Sequence, residues 1–224
     1  MKFNLEVFVS FIAIIFICAV ILVGLYKAHT MYSISKRRRV PFKTRMRIFN
    51  ELLSIIYQSA KQSNTKPFLL YGTLLGQVRQ DDFIPYDFDV DVGIMHDEYD
   101  KIRSHLIQTI PKHNQYRLKE KKLFQCRSMV IYDSETGINA DIFEFVKNGD
   151  KLRRNNFYLH SKYVLGEKVI DYPPEWILPL RKIKFKDQDV YIPNESDKLL
   201  INYYGPTYLT PEYSCNDVEC DKKI

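Results

Sequence analysis

Apolar and polar positions follow three rhythms along the chain. From Val7 to Tyr26 the sequence VFVSFIAIIFICAVILVGLY is unbroken, twenty residues without a formal charge. As a helix rising 1.5 Å per residue it spans about 30 Å, the thickness of a bilayer core. A cleaved signal peptide has a shorter apolar stretch, about 7–15 residues, ending in a small-x-small site. This run ends in Leu25-Tyr26-Lys27 instead, and it predicts one transmembrane anchor over residues 7–26.

Helical spacing returns twice in the next part of the chain. Phe49, Leu52, Leu53, Ile56, Tyr57 and Ala60 make one stripe of a helix from Arg45 to Gln62. Tyr99, Ile102, Leu106 and Ile110 make another, over Asp97–Ile110, stopped by Pro111. Between them, Phe68–Tyr71 reads as a short strand and Thr73–Gln80 as a helical turn or two. Phe88 to Ile94 then alternates strictly. Asp89, Asp91 and Gly93 share one face; Phe88, Val90, Val92 and Ile94 share the other. Period two predicts a strand that buries its apolar face.

Further strands are expected around Tyr116–Leu118, Phe124–Tyr132 and Ile138–Val146, the last closed by the turn pair Asn148-Gly149. Residues 151–180 read as irregular. Lys182–Phe185 and Val190–Ile192 suggest a hairpin, and Glu195–Tyr204 a helix with Asn194 as N-cap and Gly205-Pro206 as its stop. The expected organisation is a flank (1–6), the anchor (7–26), a basic stem (27–43), one α+β domain (44–212) and a tail (213–224). A domain of about 170 residues buries about 70% of its unfolded surface and needs no staple.

Charge alters this picture little. The net charge of +6 comes partly from Lys36-Arg37-Arg38-Arg39 beside the span. Those residues fit a stop-transfer or anionic-lipid patch, or steering of an acidic nucleotide, better than nucleic-acid binding. The positive-inside rule would place the domain in the cytosol, whereas the sequon Asn194-Glu195-Ser196 is compatible with a lumen. Of four cysteines, Cys215 and Cys220 are spaced for a small-loop disulfide; none has zinc-ligand neighbours.

The candidate chemistry is acidic. Asp89 and Asp91 stand about 7 Å apart on one strand face, and their mutual repulsion calls for a positive partner. Hard oxygen ligands suit Mg²⁺ or Mn²⁺. If the strand holding Asp141 pairs beside the first, three carboxylates converge, as in sites that drive in-line phosphoryl displacement. Upstream, Gly72 and Thr73 open a helix whose free N–H groups suit a phosphate, and Arg79 offers a bidentate fork. A solvated acidic strand face is the plainer reading of any one element. The order of Gly-Thr turn, short helix, Asp-x-Asp strand and later Asp outweighs it.

Tyr71-Gly-Thr-Leu-Leu-Gly-Gln-Val-Arg79, then Phe83-Ile-Pro-Tyr-Asp-Phe-Asp-Val-Asp91, resembles the signature block of the LicD/fukutin family. Asp141-Ile-Phe143 and the stretches Pro179–Phe185, Ile192-Pro193 and Leu200–Gly205 are similar to the family's later pattern. The resemblance runs from about residue 44 to 212. It implies a nucleotidyltransferase (polymerase-β-like) fold, with a mixed sheet and flanking helices behind the anchor. It also implies a CDP-alcohol donor, carrying choline, ribitol or a similar alcohol, and a glycan acceptor. Asp89, Asp91 and Asp141 would hold Mg²⁺ or Mn²⁺, with Asp141 also serving as base. Gly72, Thr73 and Arg79 would bind donor phosphates, and Asp87 would act as ligand or support. Relatives of the fukutin type imply a lumenal domain on a Golgi or ER membrane. Neither a zinc-binding insertion nor a large stem domain is present between residues 1 and 224, so acceptor choice and assembly do not carry over. Two rivals stand beside this reading: a sugar-nucleotide glycosyltransferase, whose Asp-x-Asp also binds metal, and a silent membrane-anchored partner of a glycan-modifying enzyme.

Overall fold

The computed structural model describes residues 5–123, 126–155 and 170–211. Cys215 and Cys220 lie outside the described residues.

Helix α1 runs from Leu5 to Arg38. Within it Phe11–Ala28 has a mean hydropathy of 2.6 and none of it is buried, so this helix is long and apolar enough to cross a membrane. The polar stem expected after Tyr26 is a continuation of the same helix. No Gly or Pro occurs between Leu25 and Val40 to stop it, and Pro41 then does. Helix α2 (Phe42–Ser63) follows at once and buries the predicted stripe, with Ile48, Ile55 and Arg45 added. It ends where Asn64 turns left-handed, at φ 51°.

The sheet is mixed. Strands β1 (Phe68–Leu69), β2 (Asp89–Met95), β3 (Tyr116–Leu123), β4 (Cys126–Asp133) and β5 (Asn139–Asn148) are joined by helices α3 (Tyr71–Gln80) and α4 (His96–Thr109). Residues 151–180, expected to be irregular, contribute β6 (Lys151–Arg154), β7 (Asp171–Tyr172) and the single turn α5 (Pro174–Ile177). The predicted hairpin forms as β8 (Arg181–Phe185) and β9 (Gln188–Ile192), turning through Lys186 and Asp187 at positive φ. Helix α6 (Ser196–Tyr204) has Glu195 rather than Asn194 at its N-cap; the Asn194 amide donates instead to the Glu175 carbonyl at 3.0 Å.

Strand order is β3-β4-β5-β2-β1-β9-β8, with β6 on β5 and β7 on β6. β2 runs parallel to β5, and β1 parallel to β9. Val90, Val92, Ile94, Ala140 and Ile142 are fully buried and form the main core with α2 and α4. The other face is covered in part as well. Phe68, Leu70, Phe145, Leu152, Tyr172, Ile177 and Leu199 make a second, smaller core there. Gly93 permits it, since a Cβ at that position would come 2.5 Å from the Phe68 ring. The acidic end of the β2 face therefore borders an apolar floor rather than open solvent.

Candidate active site

Parallel pairing of β2 and β5 places Asp91 directly opposite Asp141 and Asp89 opposite Asn139. Neighbouring strands are about 4.8 Å apart, so the two carboxylates stand side by side on one sheet face. The register decides this, because a slip of one residue would turn Asp141 into the core.

Helix α3 supports the group from β2's other flank. Its Thr73 hydroxyl accepts the Asp91 backbone N–H at 2.8 Å, and the Leu70 N–H donates to the Asp91 carbonyl at 3.0 Å. Gly72 must be glycine here, since a Cβ would sit 2.1 Å from the Asp87 carboxylate. That close approach holds Asp87 against the start of α3, where its oxygen also takes the Phe88 N–H at 2.9 Å. Thus Gly72, Thr73, Asp87, Asp89, Asp91 and Asp141 are gathered in one place.

Arg79 is not brought to that group. It lies six residues beyond Thr73, about 9 Å along α3, and its guanidinium donates to the Tyr208 carbonyl. A different arginine faces the carboxylates. Arg154 on β6 lies over the rings of Phe143 (4.9 Å) and Tyr71 (5.6 Å) and favours the charged form of Asp91.

Two further cations come from distant parts of the chain. Arg37, at the end of α1, stands 3.5 Å from the Asp89 carboxylate and donates to the Asn139 side chain. Its guanidinium also covers the Phe88 ring at 4.7 Å. Lys121 lies 3.6 Å from Asp141, whose second oxygen takes the Asn139 amide at 2.6 Å. None of these partners was expected from the sequence, although Asn139 carries a signal in lying two residues before Asp141 on the same strand face. No periodicity or spacing pointed to Arg37, Lys121 or Arg154.

The electrostatics follow from crowding. Burial, then Asp87 and Asp141, push the Asp89 carboxyl up to about 8, against a downward pull from Arg37. Burial raises Asp91 well above the usual carboxylate range, helped by Asp89, Asp141 and Asp87. Asp87 is raised too, chiefly by burial. The Tyr204 hydroxyl is raised as well, first by desolvation and then by Asp91, Asp87 and Asp89. Such a set of oxygens has the donor type and surplus charge that suit a hard divalent cation. Among the described residues no three His, Cys, Asp or Glu side chains are already gathered as a metal-ligand group. Arg37, Asn139 and Lys121 take up oxygens of Asp89 and Asp141 instead.

The LicD/FKTN/FKRP nucleotidyltransferase-domain model matches residues 64–195. The chain belongs to this family, and the matched stretch holds every carboxylate of the group. An uncharacterized protein of Rickettsia typhi is 32% identical over 160 residues, covering 70% of this chain and 45% of its own length. The ribitol-5-phosphate transferase FKTN of Mus musculus is 27% identical over 163 residues, covering 72% of this chain and 33% of its own. The ribitol 5-phosphate transferase FKRP of Homo sapiens is 22% identical over 172 residues, covering 75% and 33%. The chain thus spans between a third and a half of these relatives. Among solved structures, ANT(2")-Ia in complex with adenylyl-2"-tobramycin is similar at a TM-score of 0.42 and 8% identity, over 72% of this chain and 78% of that one.

Proposed function

We propose that this protein transfers a phospho-alcohol from a CDP-activated donor to a glycan hydroxyl and releases CMP. The observation that carries the proposal is the register of β2 on β5, which sets Asp91 beside Asp141 with Asp89 and Asp87 adjoining. Kinship with proteins named as ribitol-phosphate transferases supports the class of reaction.

Asp89, Asp91 and Asp141 would hold Mg²⁺ or Mn²⁺, a cation beside the carboxylate that Arg37 now faces at 3.5 Å. A bound divalent cation supplies neutralisation of the phosphoryl oxygens. The protein's own groups do the rest. Gly72 and Thr73 present the first turn of α3 to the donor phosphates, and Arg154, fixed by two aromatic rings, adds positive charge beside Asp91. The acceptor oxygen bonds to the phosphorus bearing the alcohol as the bond from that phosphorus to the CMP oxygen breaks. The hydroxyl proton passes to Asp141, next to the exposed Lys121. Secretory-pathway membrane placement, with the domain in the lumen, accompanies this reading.

CMP release by the full chain, with Mg²⁺ or Mn²⁺ and CDP-choline, CDP-ribitol or CDP-glycerol against mixed glycans, tests the proposal. One donor should give metal-dependent CMP. Absence of CMP together with absence of nucleotide and metal binding would overturn it in favour of a silent partner protein.

A further inference from the structure

Helix α1 leads without interruption from its apolar segment to the acidic group. Arg37 is nine residues beyond Ala28, the end of the apolar window, which is about 14 Å along the helix axis. Headgroups occupy about 5–8 Å of that height on each side of a bilayer. At its far end Arg37 is clamped. Its side chain is 13% exposed, stands 3.5 Å from Asp89, hydrogen-bonds Asn139 and lies over Phe88. Its Cγ also lies 3.8 Å from where a Cβ on Gly137 would be, at the β4–β5 turn.

No slack separates helix from domain. Arg39, Val40 and Pro41 alone join α1 to α2; Arg39 and Val40 donate backwards into α1, and Val40 is buried. The exposed side chains just beyond the apolar segment suit a lipid surface. Tyr26 (44% exposed), at the end of that segment, and Tyr32 (70%), about 6 Å beyond Ala28, stand at the height of the interfacial aromatic belt. Lys36, Arg39 and Lys43 are exposed cations placed for anionic headgroups. The opposite end of β5, at Asn148-Gly149, is about 30 Å from Asn139 along the strand.

We propose that the acidic end of the sheet works against the bilayer surface, and that its acceptor is a lipid-anchored glycan whose hydroxyl lies just above the headgroups. The acceptor's chemistry rests on the phospho-alcohol transferase reading; the placement of the site rests on α1 and Arg37 alone. A water-soluble CDP donor enters from the aqueous side, while the acceptor arrives by diffusion within the membrane. The transfer step is unchanged: the acceptor oxygen gains the phospho-alcohol, CMP leaves, and the proton goes to a carboxylate.

The test uses the full chain in phosphatidylcholine vesicles, with its four cysteines replaced by serine. A fluorophore is placed on Glu135→Cys, in the turn beside Arg37, or on Asp150→Cys, at the far end of β5. Lipids carrying a nitroxide on the headgroup act as quencher. Quenching at position 135 should exceed that at 150 several-fold; equal or weaker quenching at 135 would overturn the placement whatever the activity. A second variant inserts eleven helical residues after Ala28, about three turns, lifting Arg37 by about 16 Å without changing its facing much. CMP release supported by glycolipids in the same vesicle should fall at least about tenfold, a loss of the size expected when reacting groups are held out of reach. Release supported by the same glycans cut from their lipid should not change. Unchanged glycolipid-supported release in the spacer variant would overturn the acceptor class. If wild type releases no CMP with either acceptor, the transferase reading and the acceptor assignment built on it both fall, while the quenching result still decides the placement.

Discussion

Two acidic clusters, one buried and one half-buried, share strand β5, three residues apart and on opposite faces, and they are built on opposite plans. Glu144 is wholly buried and saturated with donors. Arg127 reaches it through two nitrogens, His96 lies 2.8 Å from it, and the Asn155 amide donates to it. Arg127 is itself held by Asp100 at 2.8 and 3.0 Å and covers the Tyr99 ring at 4.4 Å. Here a carboxylate locks β4, β5 and the start of α4 together. Around Asp141, four carboxylates crowd one another, and the nearby cations leave Asp87, Asp89 and Asp91 with raised proton affinities. A buried acid whose oxygens are fully engaged is architecture. One held among like charges is poised for a cation or for chemistry.

The widest separation of the two clusters should come from Asp91→Asn. Metal-dependent CMP release should drop by at least about 100-fold, the scale of removing one preorganised charge from a reacting centre. Thermal unfolding should show the fold kept or slightly stabilised, because a self-repelling charge is gone. Glu144→Gln should do the reverse. Loss of the pair costs about 2–3 kcal/mol, below the full value for a buried pair because Arg127 retains Asp100 and is partly solvated. Chemical denaturation would register it, while turnover per folded molecule stays near wild type. Gly72→Ala lies between the two. Its Cβ would meet Asp87 at 2.1 Å, so it should cost about 1–3 kcal/mol and also displace a carboxylate of the group, lowering turnover.

The smallest effect concerns pH. Asp89 has a folded pKa of about 8, above its unfolded value, so the native state holds a proton that the unfolded chain has lost. The resulting stability is complete below the unfolded pKa, near 4, and disappears as pH rises through about 8. Without added metal, stability should therefore decline with pH across that window. Asp89→Asn should flatten the decline, and an unaltered slope would contradict the assignment. Glu144→Gln should leave the slope in place.

Much of the acidic group was legible in the sequence for a physical reason. Strand alternation assigns Asp89 and Asp91 to the face opposite Val90 and Val92, and the Gly72-Thr73 turn belongs to the same short stretch of chain. What alternation could not supply was register and long-range approach. Whether Asp141 meets Asp91 or the core depends on a pairing that no local pattern encodes. Arg37 and Arg154 reach the group from separations of 52 and 63 residues from Asp89 and Asp91, and each looks in sequence like one basic residue among many. Arg79 had the right spacing for a phosphate but lies in the last turn of α3, where the Tyr208 carbonyl takes its guanidinium. The basic stem carries no periodic pattern of its own, and α1 continues through it as far as Arg38 because no Gly or Pro lies between Leu25 and Val40 to stop it.

Direct Mn²⁺ binding to the full chain, followed through the paramagnetic signal of the free ion, tests the contrast between the clusters most closely. Wild type and Glu144→Gln should both deplete free Mn²⁺, and Asp91→Asn should not. Equal depletion by wild type and Asp91→Asn, or none by wild type, would contradict a cation site at Asp89, Asp91 and Asp141.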